Sequence, residues 1–516
     1  MTITLETPFS VLPDLIALHA RTRGNHPALI QDGQQLDYAA LDLKVDQVAA
    51  ALQRDGFRPG DSIAICGSNS IPYALLYIGA LRAGVVVAPL APSSTPEGLV
   101  TMIRDSAAKL VFVDQAVDQA LRSTAEQHQI TLLSMDDSCA DLGFTQWLAD
   151  TKPIPVNITP EMPFNIIYSS GTTGEPKGIV QSHGMRWSHI QRGIVFGYGP
   201  ECVTLISTPL YSNTTLVSFL PSIGLGGTVV LMAKFDAAKY LKLAEQLSAT
   251  HTMLVPVQYQ RIMAREDFDQ YDLSSFQMKF STSAPFHAEL KADILQRWPG
   301  GLIEFYGMTE GGGSCMLAAH QFPDKLATVG KPLENHDMRV IDEDGVELPF
   351  GEIGEVVGHS PAMMTGYLNK PEKTAEAEWY DAEGKRFIRT GDVGRFDNEG
   401  FLTLMDRRKD MVISGGFNIY PCDLEQELRK HPDLLEVTVI GVQSRNWGET
   451  PVGYAVLRPG VQADAQTICQ WFNERVGKTQ RLNRLILTDE LPRSAIGKVL
   501  KRELRDQFQA EYGELD

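Results

Sequence analysis

Apolar positions recur along this chain in two alternating periods. Leu41, Val45, Val48 and Leu52 fall at helical spacing. The run Ser62–Cys66, entered through the turn Pro59-Gly60-Asp61, reads as a short buried strand. A second helical pattern, Ile71–Arg82, ends at Gly84 ahead of the β-branched run Val85-Val86-Val87. Residues 110–113, Phe164-Asn165-Ile166-Ile167, 228–232, 252–255, 279–282 and Ile303-Glu304-Phe305 read as further strands, with helical patterns between several of them. Such alternation predicts α/β layers around a largely parallel sheet.

Near residue 390 the character changes. Arg389-Thr390-Gly391-Asp392 precedes a β-rich piece containing Phe401-Leu402-Thr403-Leu404, followed by the charged run Asp406-Arg407-Arg408-Lys409-Asp410. A charge run is usually a solvated face; set between two globular patterns, it also suits a hinge. Beyond it, Ser414-Gly415-Gly416 leads to Pro421, placed to open a helix with Leu424 and Leu428 on one face. Val437-Thr438-Val439-Ile440 reads as a strand, so the last hundred or so residues predict a small α+β domain.

With 516 residues the chain exceeds one ordinary core, and two or more domains are expected. A formal net charge of −18 makes nucleic acid or an anionic membrane a poor partner, so an anionic ligand has to be held by local donors. Six cysteines without a CxxC pair argue against a zinc cage and a disulfide framework. No segment resembles a signal peptide or a membrane span. A reducing cytoplasm is the expected setting.

The stretch from Tyr168 to Gly178 packs three glycines, four aliphatic hydroxyls and one lysine into eleven residues, just after a predicted strand. Glycines let backbone N–H groups crowd an anion, hydroxyls add donors and lysine adds charge, a combination suited to phosphate. The spacing differs from the Walker A loop. Five further clusters accompany it. Tyr306-Gly307-Met308-Thr309-Glu310 offers a flat ring, a hydroxyl and a hard oxygen for Mg²⁺. Asp392 can accept from ribose hydroxyls, and Arg407, fifteen residues on, can pair with phosphate or ribose oxygens. Gly415 and Gly416 allow something thin to pass close to the backbone, and Lys498, after Gly497, can reach outward as a point charge. Taken singly, each reads as an ordinary turn, core tyrosine or solvated surface.

Together, in order and spacing, the six segments resemble the motif set of the adenylate-forming (AMP-binding) superfamily, and within it the acyl- and aryl-CoA synthetases, including hydroxycinnamate (feruloyl) types. The resemblance covers essentially the whole chain. It implies an α/β protein. A large N-terminal domain of layered α/β subdomains plus a β-barrel-like piece, residues 1–408, would bind ATP and a carboxylic acid. A small mobile α+β domain, residues 409–516, would rotate about a hinge at Lys409. By the same resemblance, Ser169, Ser170, Gly171, Thr172, Thr173, Gly174 and Lys177 embrace the β- and γ-phosphates. Tyr306 and Gly307, with Ser283, Ala284 and Pro285, border the adenine nucleotide, Tyr306 by stacking. Thr309 touches the α-phosphate, Glu310 coordinates Mg²⁺, and Asp392 with Arg407 holds the ribose. Lys498 bridges the acid and the α-phosphate during adenylation. Tyr211, Ser212, Asn213, Thr282, Gly307 and Met308 line the acid pocket. Gly415, Gly416 and Trp447 meet coenzyme A.

The larger departures from the family pattern fall around the acid. Ser169 stands where threonine is common, and Asp406 where glycine often precedes the arginine. Ser212 stands where relatives carry an aromatic residue or histidine, and Thr282-Ser283-Ala284-Pro285 replaces a glycine-richer stretch. The expected activity is an ATP-dependent acid–CoA ligase with Mg²⁺. An aromatic acid of the benzoate or hydroxycinnamate type is favoured, because Ser212, Asn213, Thr282 and Ser283 can partner a phenol that would be costly to bury alone. The alternatives are a medium-chain fatty acid ligase, a stand-alone amino-acid adenylation enzyme and a non-catalytic acyl- or nucleotide-binding protein. An amino-acid substrate would need an acidic residue near Tyr211–Asn213, where none stands; mere binding would not need Lys498. A homodimer is compatible with the sequence.

Overall fold

The computed structural model describes residues 3–138, 143–169, 176–407, 410–414, 417–494 and 497–515. They divide into two compact units: 1–327 with 332–337 and 359–388, and 328–331 with 338–358 and 389–516.

The first unit holds two sheets with parallel centres; the first turns antiparallel towards both sides, the second only towards Gly366–Tyr367. One runs Ser314–Ala318, Gly301–Gly307, Met278–Ser281, His251–Leu254, Val203–Ile206, Thr228–Leu231, Pro27–Gln31 and Gln34–Asp37. From Gly301–Gly307 through Pro27–Gln31 neighbouring strands are parallel; Ser314–Ala318 and Gln34–Asp37 flank them antiparallel, and Lys331–Pro332 adds a ninth strand beside Ser314–Ala318. The other runs Gly366–Tyr367, Lys177–Ser182, Pro163–Ser169, Val86–Leu90, Ser62–Cys66, Ala108–Val113 and Leu132–Ser134. Strands buried on both faces read as continuous apolar runs, which is why 62–66 and 86–90 lack alternation. The helix Ile71–Arg82 is apolar nearly all round and is buried accordingly. With Tyr38–Arg54 it enters one core that reaches Leu29 and Val229 of the first sheet and Ile63 and Phe112 of the second.

The second unit contains the strands Asp337–Ile341, Gly354–His359, Arg386–Phe396 and Leu402–Arg407 of a five-stranded sheet, the piece expected to be barrel-like. Asp337, His359 and the start of Arg386–Phe396 fall in the first unit. Its other sheet runs Phe417–Ile419, Val412–Ser414, Gly448–Leu457 and Leu434–Ser444, with Arg484–Leu487 parallel to Gly448–Leu457. Alternation along 434–444 serves both faces. Val437 and Val439 pack with Leu424, Leu428, Ile468 and Phe472, while Ile440 and Val442 pack with Leu504 and Phe508. The five described cysteines are unbridged, and no helix among the described residues is long and apolar enough to cross a membrane.

Candidate active site

In the first unit the chemistry gathers where parallel strands end. Ile206, Met253, Phe280 and Ile303 are register neighbours across four strands, so the segments leaving those strands emerge at one edge of the sheet. They include 207–213, 282–285 and 308–310, which hold the predicted acid and nucleotide residues. A crevice beyond the carboxyl ends of parallel strands is where open α/β sheets take ligands.

The phosphate loop connects two strands of the second sheet. Pro163–Ser169 and Lys177–Ser182 are antiparallel, and Ser169 pairs with Lys177. Ser170, Gly171, Thr172, Thr173 and Gly174 lie outside the described residues. The neighbouring strand Gly366–Tyr367 pairs with Lys177–Ser182 and supplies a residue the sequence reading missed. The Tyr367 hydroxyl donates to Glu310 Oε1 at 2.8 Å, and Lys177 Nζ lies 5.0 Å from the Tyr367 ring centroid. Burial and then the Glu310 charge push the Tyr367 hydroxyl well above its ordinary pKa, keeping it a donor. The expected phosphate lysine and the expected magnesium ligand, 133 positions apart, are thereby tied to one ring.

The backbone around Glu310 is held as well. Met364 N–H donates to the Glu310 carbonyl at 2.7 Å. Gly311 has φ +74°, and a Cβ there would stand 2.1 Å from the Ala362 carbonyl oxygen, so no side chain fits. Tyr306 ends its strand opposite Cys315, and Gly307 lies opposite Ser314.

Behind Thr309 lies a buried polar network, also missed. Gln181 Nε2 donates to the Thr309 carbonyl at 2.7 Å, and Gln181 Oε1 accepts from Asn165 Nδ2 at 2.8 Å and from Arg186. Arg186, fully buried, also donates to Asn165 Oδ1 at 3.0 Å and Asn213 Oδ1 at 2.9 Å. The signal available in the sequence was Asn165, a lone amide inside the apolar run 164–167: a buried amide requires partners.

On the acid side, Ser212 is buried and its hydroxyl caps the helix Asn213–Gly224, accepting from Thr214 N–H at 3.3 Å. Thr214 and Ser283 join through their hydroxyls, bringing the 211–213 and 282–283 segments together. Ser283 holds φ +81°, a strained value for a side-chain-bearing residue. Tyr211, Thr282 and Ala284 are half-buried and Pro285 is exposed.

The second unit carries the remaining predicted residues. Asp392 lies inside the strand Arg386–Phe396, directly across from Arg407 of Leu402–Arg407. The segment read as a turn is therefore strand. Gly391 at φ +70° marks a local irregularity, which Thr390 stabilises by donating to the Val356 carbonyl at 2.8 Å and accepting from Asp392 N–H at 3.1 Å. Lys498 closes a turn in which Ser494 N–H donates to the Lys498 carbonyl at 2.8 Å and Lys498 N–H to Ser494 Oγ at 3.2 Å. Arg493 braces it, donating to the Gly497 carbonyl at 2.8 Å and pairing with Glu436 at 2.5 Å. Gly415, Gly416 and Lys409, the expected hinge, lie outside the described residues. Their flanks do not: Ser414 pairs with Phe417 and with Gly448, next to Trp447, which is 57% exposed.

Two family models match the sequence: AMP-binding enzyme over residues 16–368, and AMP-binding enzyme C-terminal domain over 423–498. This chain belongs to the AMP-binding enzyme family. A feruloyl-CoA synthase from an Amycolatopsis species is 32% identical to this AMP-binding enzyme over 498 residues, covering 95% of this chain and 97% of the relative. A fatty acid–[acyl-carrier-protein] ligase, ScoC, from Streptomyces coeruleorubidus is 29% identical, with 95% of each chain covered. Among solved structures, ATP-bound MatB from Rhodopseudomonas palustris superposes with TM-score 0.87 at 28% identity, over 97% of this chain and 99% of that one. The enzyme is an ATP-dependent, AMP-forming ligase of the acid–thiol class, whose CoA-using members take ATP, Mg²⁺ and coenzyme A.

The donor chemistry fits that magnesium. Mg²⁺ keeps much of its water and binds through one or two carboxylates together with substrate phosphates. Glu310 offers such a carboxylate, oriented by Tyr367. No group of three or more His, Cys, Asp or Glu side chains among the described residues is arranged as a metal cage.

Proposed function

We propose that this enzyme activates a carboxylic acid by adenylation and passes the acyl group to coenzyme A. The observation that carries the reading is the Lys177–Tyr367–Glu310 bridge at the sheet edge where the Thr309 and acid-side segments emerge. A carboxylate attacks the α-phosphorus of ATP, pyrophosphate leaves and an acyl-adenylate remains; a thiolate then displaces AMP. Anion meets polyanion in the first step, so placement and charge neutralisation matter more than a base. Lys177 and the loop before it serve the β- and γ-phosphates, Tyr306 the adenine, and Asp392 with Arg407 the ribose. Lys498 neutralises charge between acid and α-phosphate. Magnesium on Glu310 would neutralise phosphate charge. Residues 409–516 move between the two steps, hinged at Lys409, and bring Gly415, Gly416 and Trp447 to the pantetheine arm.

For the acid we favour an aromatic body of the benzoate or hydroxycinnamate type. The hydroxyl of Thr282 and the amide nitrogen of Asn213 supply polar partners, and the relative named for ferulate supports the same class. The acyl-carrier-protein ligase among the relatives favours one second reading, a fatty acid and a carrier-borne thiol. Acid-dependent pyrophosphate release, followed by AMP release with free CoA or with a pantetheinylated carrier, tests both. Failure of every organic acid to release pyrophosphate from ATP would overturn the proposal.

A further inference from the structure

The helix His183–Val195 carries charges that the chemistry above leaves unused. Arg186, His189 and Arg192 follow one another at intervals of three residues, so they share one side of the helix over about 9 Å of its axis. Arg186 Nη1 lies 3.3 Å from His189 Nδ1. Burial, then Arg192, Arg186 and His336, hold the His189 imidazole well below its ordinary pKa. Burial, then Arg192 and His359, push His336 down to about 4. Five basic side chains of the first unit therefore feel one another.

Among the described residues no acid is paired with any of them. The hydrogen-bond partners of Arg186 among the described residues are the neutral Asn165, Gln181, Asn213 and His189. Arg192 is lowered by burial alone and makes no ion pair or hydrogen bond among the described residues. His336 Nδ1 is buried without a hydrogen-bond partner among them. Elsewhere the same unit pairs several arginines with acids, Arg82 with Asp42 and Asp46, Arg122 with Asp118, Arg297 with Asp269 and Asp293, and answers the buried Lys279 with three backbone carbonyls. Even the buried Lys291 has Glu304. Removing a cation from water is costly unless an anion or fixed dipoles answer it. Arg186 has its amide oxygens; the half-buried Arg192 has no ion pair or hydrogen bond among the described residues, and His336, held neutral, keeps a buried Nδ1 without a partner among them.

The position of the set indicates whose anion is missing. Arg186 grips Asn213 on the acid side and reaches the Thr309 carbonyl through Gln181. From there the basic face extends along the helix by about two turns. We infer that this face is a subsite for a second carboxylate on the substrate, so that the enzyme activates one end of a dicarboxylic acid and holds the other with Arg192, His189 and His336. This rests on the ligase reading and narrows its acid; an aromatic body between the two carboxyls satisfies both.

The test uses matched pairs, each a diacid and its monomethyl ester, aliphatic and aromatic, with carboxyl carbons about 5 to 10 Å apart to bracket the helix length. Pyrophosphate release is measured with wild type, Arg192→Gln and Arg192→Lys. Wild type should favour the diacid at least about tenfold in kcat/KM, mainly through KM, as expected for a desolvated charge pair. Arg192→Gln should bring the ratio towards one, and Arg192→Lys should restore part of it. A wild-type ratio near one, or equal losses for diacid and ester in Arg192→Gln, would overturn the subsite. Thermal shift without ATP adds a readout independent of turnover: the diacid should raise the wild-type Tm more than its ester does, and Arg192→Gln should abolish the difference. If ATP alone raised Tm in wild type but not in Arg192→Gln, the anion would be phosphate and the inference would fail. A diacid-specific shift without pyrophosphate release from any acid would support the subsite while sinking the ligase reading.

Discussion

Thr309 and Glu310 leave a strand of a largely parallel sheet, whereas Lys498, in the second unit, is placed by local contacts with Ser494. Around the first pair, groups from two distant segments converge: Gln181 and, through it, Arg186 from one, and the Tyr367 hydroxyl and Met364 N–H from the other. The contacts around Lys498 include its own backbone, Ser494 and the braced Arg493. Chemistry and stability are thus coupled in the first region and separable in the second. The role proposed for Lys498, present in one half-reaction and absent from the other, suits a local turn better than a packed network.

Lys498→Ala gives the largest expected effect on the turn side. Adenylation should slow by roughly 10²–10³-fold, the scale of losing one transition-state charge partner. Thioester formation from supplied acyl-adenylate should be largely spared, and the urea midpoint should move by less than about 1 kcal/mol in stability. Equal damage to both half-reactions would contradict the assigned role.

Gln181→Leu probes the other side. It strips Arg186 of an oxygen partner and leaves the Thr309 carbonyl without its donor, so stability should fall by about 3 kcal/mol, the cost of a partly orphaned buried cation. Adenylation should fall with it. Urea unfolding alongside single-turnover pyrophosphate release measures both; a stable but inactive variant would erase the contrast between the regions.

The same packing has a pH signature. His183 is buried at the start of its helix, edge-on to Phe164 at 5.0 Å, and burial pushes it down to about 4. It is neutral in the fold, while the unfolded chain takes up the proton near 6.5. Below that pH the unfolded state binds more protons, so stability falls as pH falls towards 4. Between pH 6.5 and 5 the loss from this group is about 2 kcal/mol. His183→Leu should flatten that part of the slope in urea titrations at successive pH values. An unchanged slope would mean that His183 is not held neutral.

How much of this was legible in advance depends on where each signal resides. The helix Ile71–Arg82 could be read to its ends because Ser70 caps it, Pro72 opens it and its apolar positions leave one outcome. Asp392 was placed on a turn because Gly391 speaks locally for one; pairing with Leu402–Arg407 overrides it and makes strand. Tyr367 carried no local mark, since its role comes from a short edge strand brought beside Lys177 by tertiary pairing alone. The network around Arg186 was half visible: Asn165 announced a buried amide, but its partners lie 16 and 21 positions away and only the fold brings them together.

Ser212 offers the smallest and sharpest test, because the structure gives it a capping role beside the expected one. Its hydroxyl caps the helix Asn213–Gly224, and removing such a cap costs about 1 kcal/mol. Ser212→Ala should therefore lose about that much, while Ser212→Thr, which keeps the capping oxygen, should lose less. The added methyl of Ser212→Thr changes shape without removing the cap, so any altered ranking of acids in that variant reports pocket lining alone. The expected result is a changed acid ranking with ATP affinity nearly constant. A ranking identical in wild type, Ser212→Ala and Ser212→Thr would leave Ser212 a cap and move the entrance of the acid pocket to its neighbours Tyr211 and Asn213.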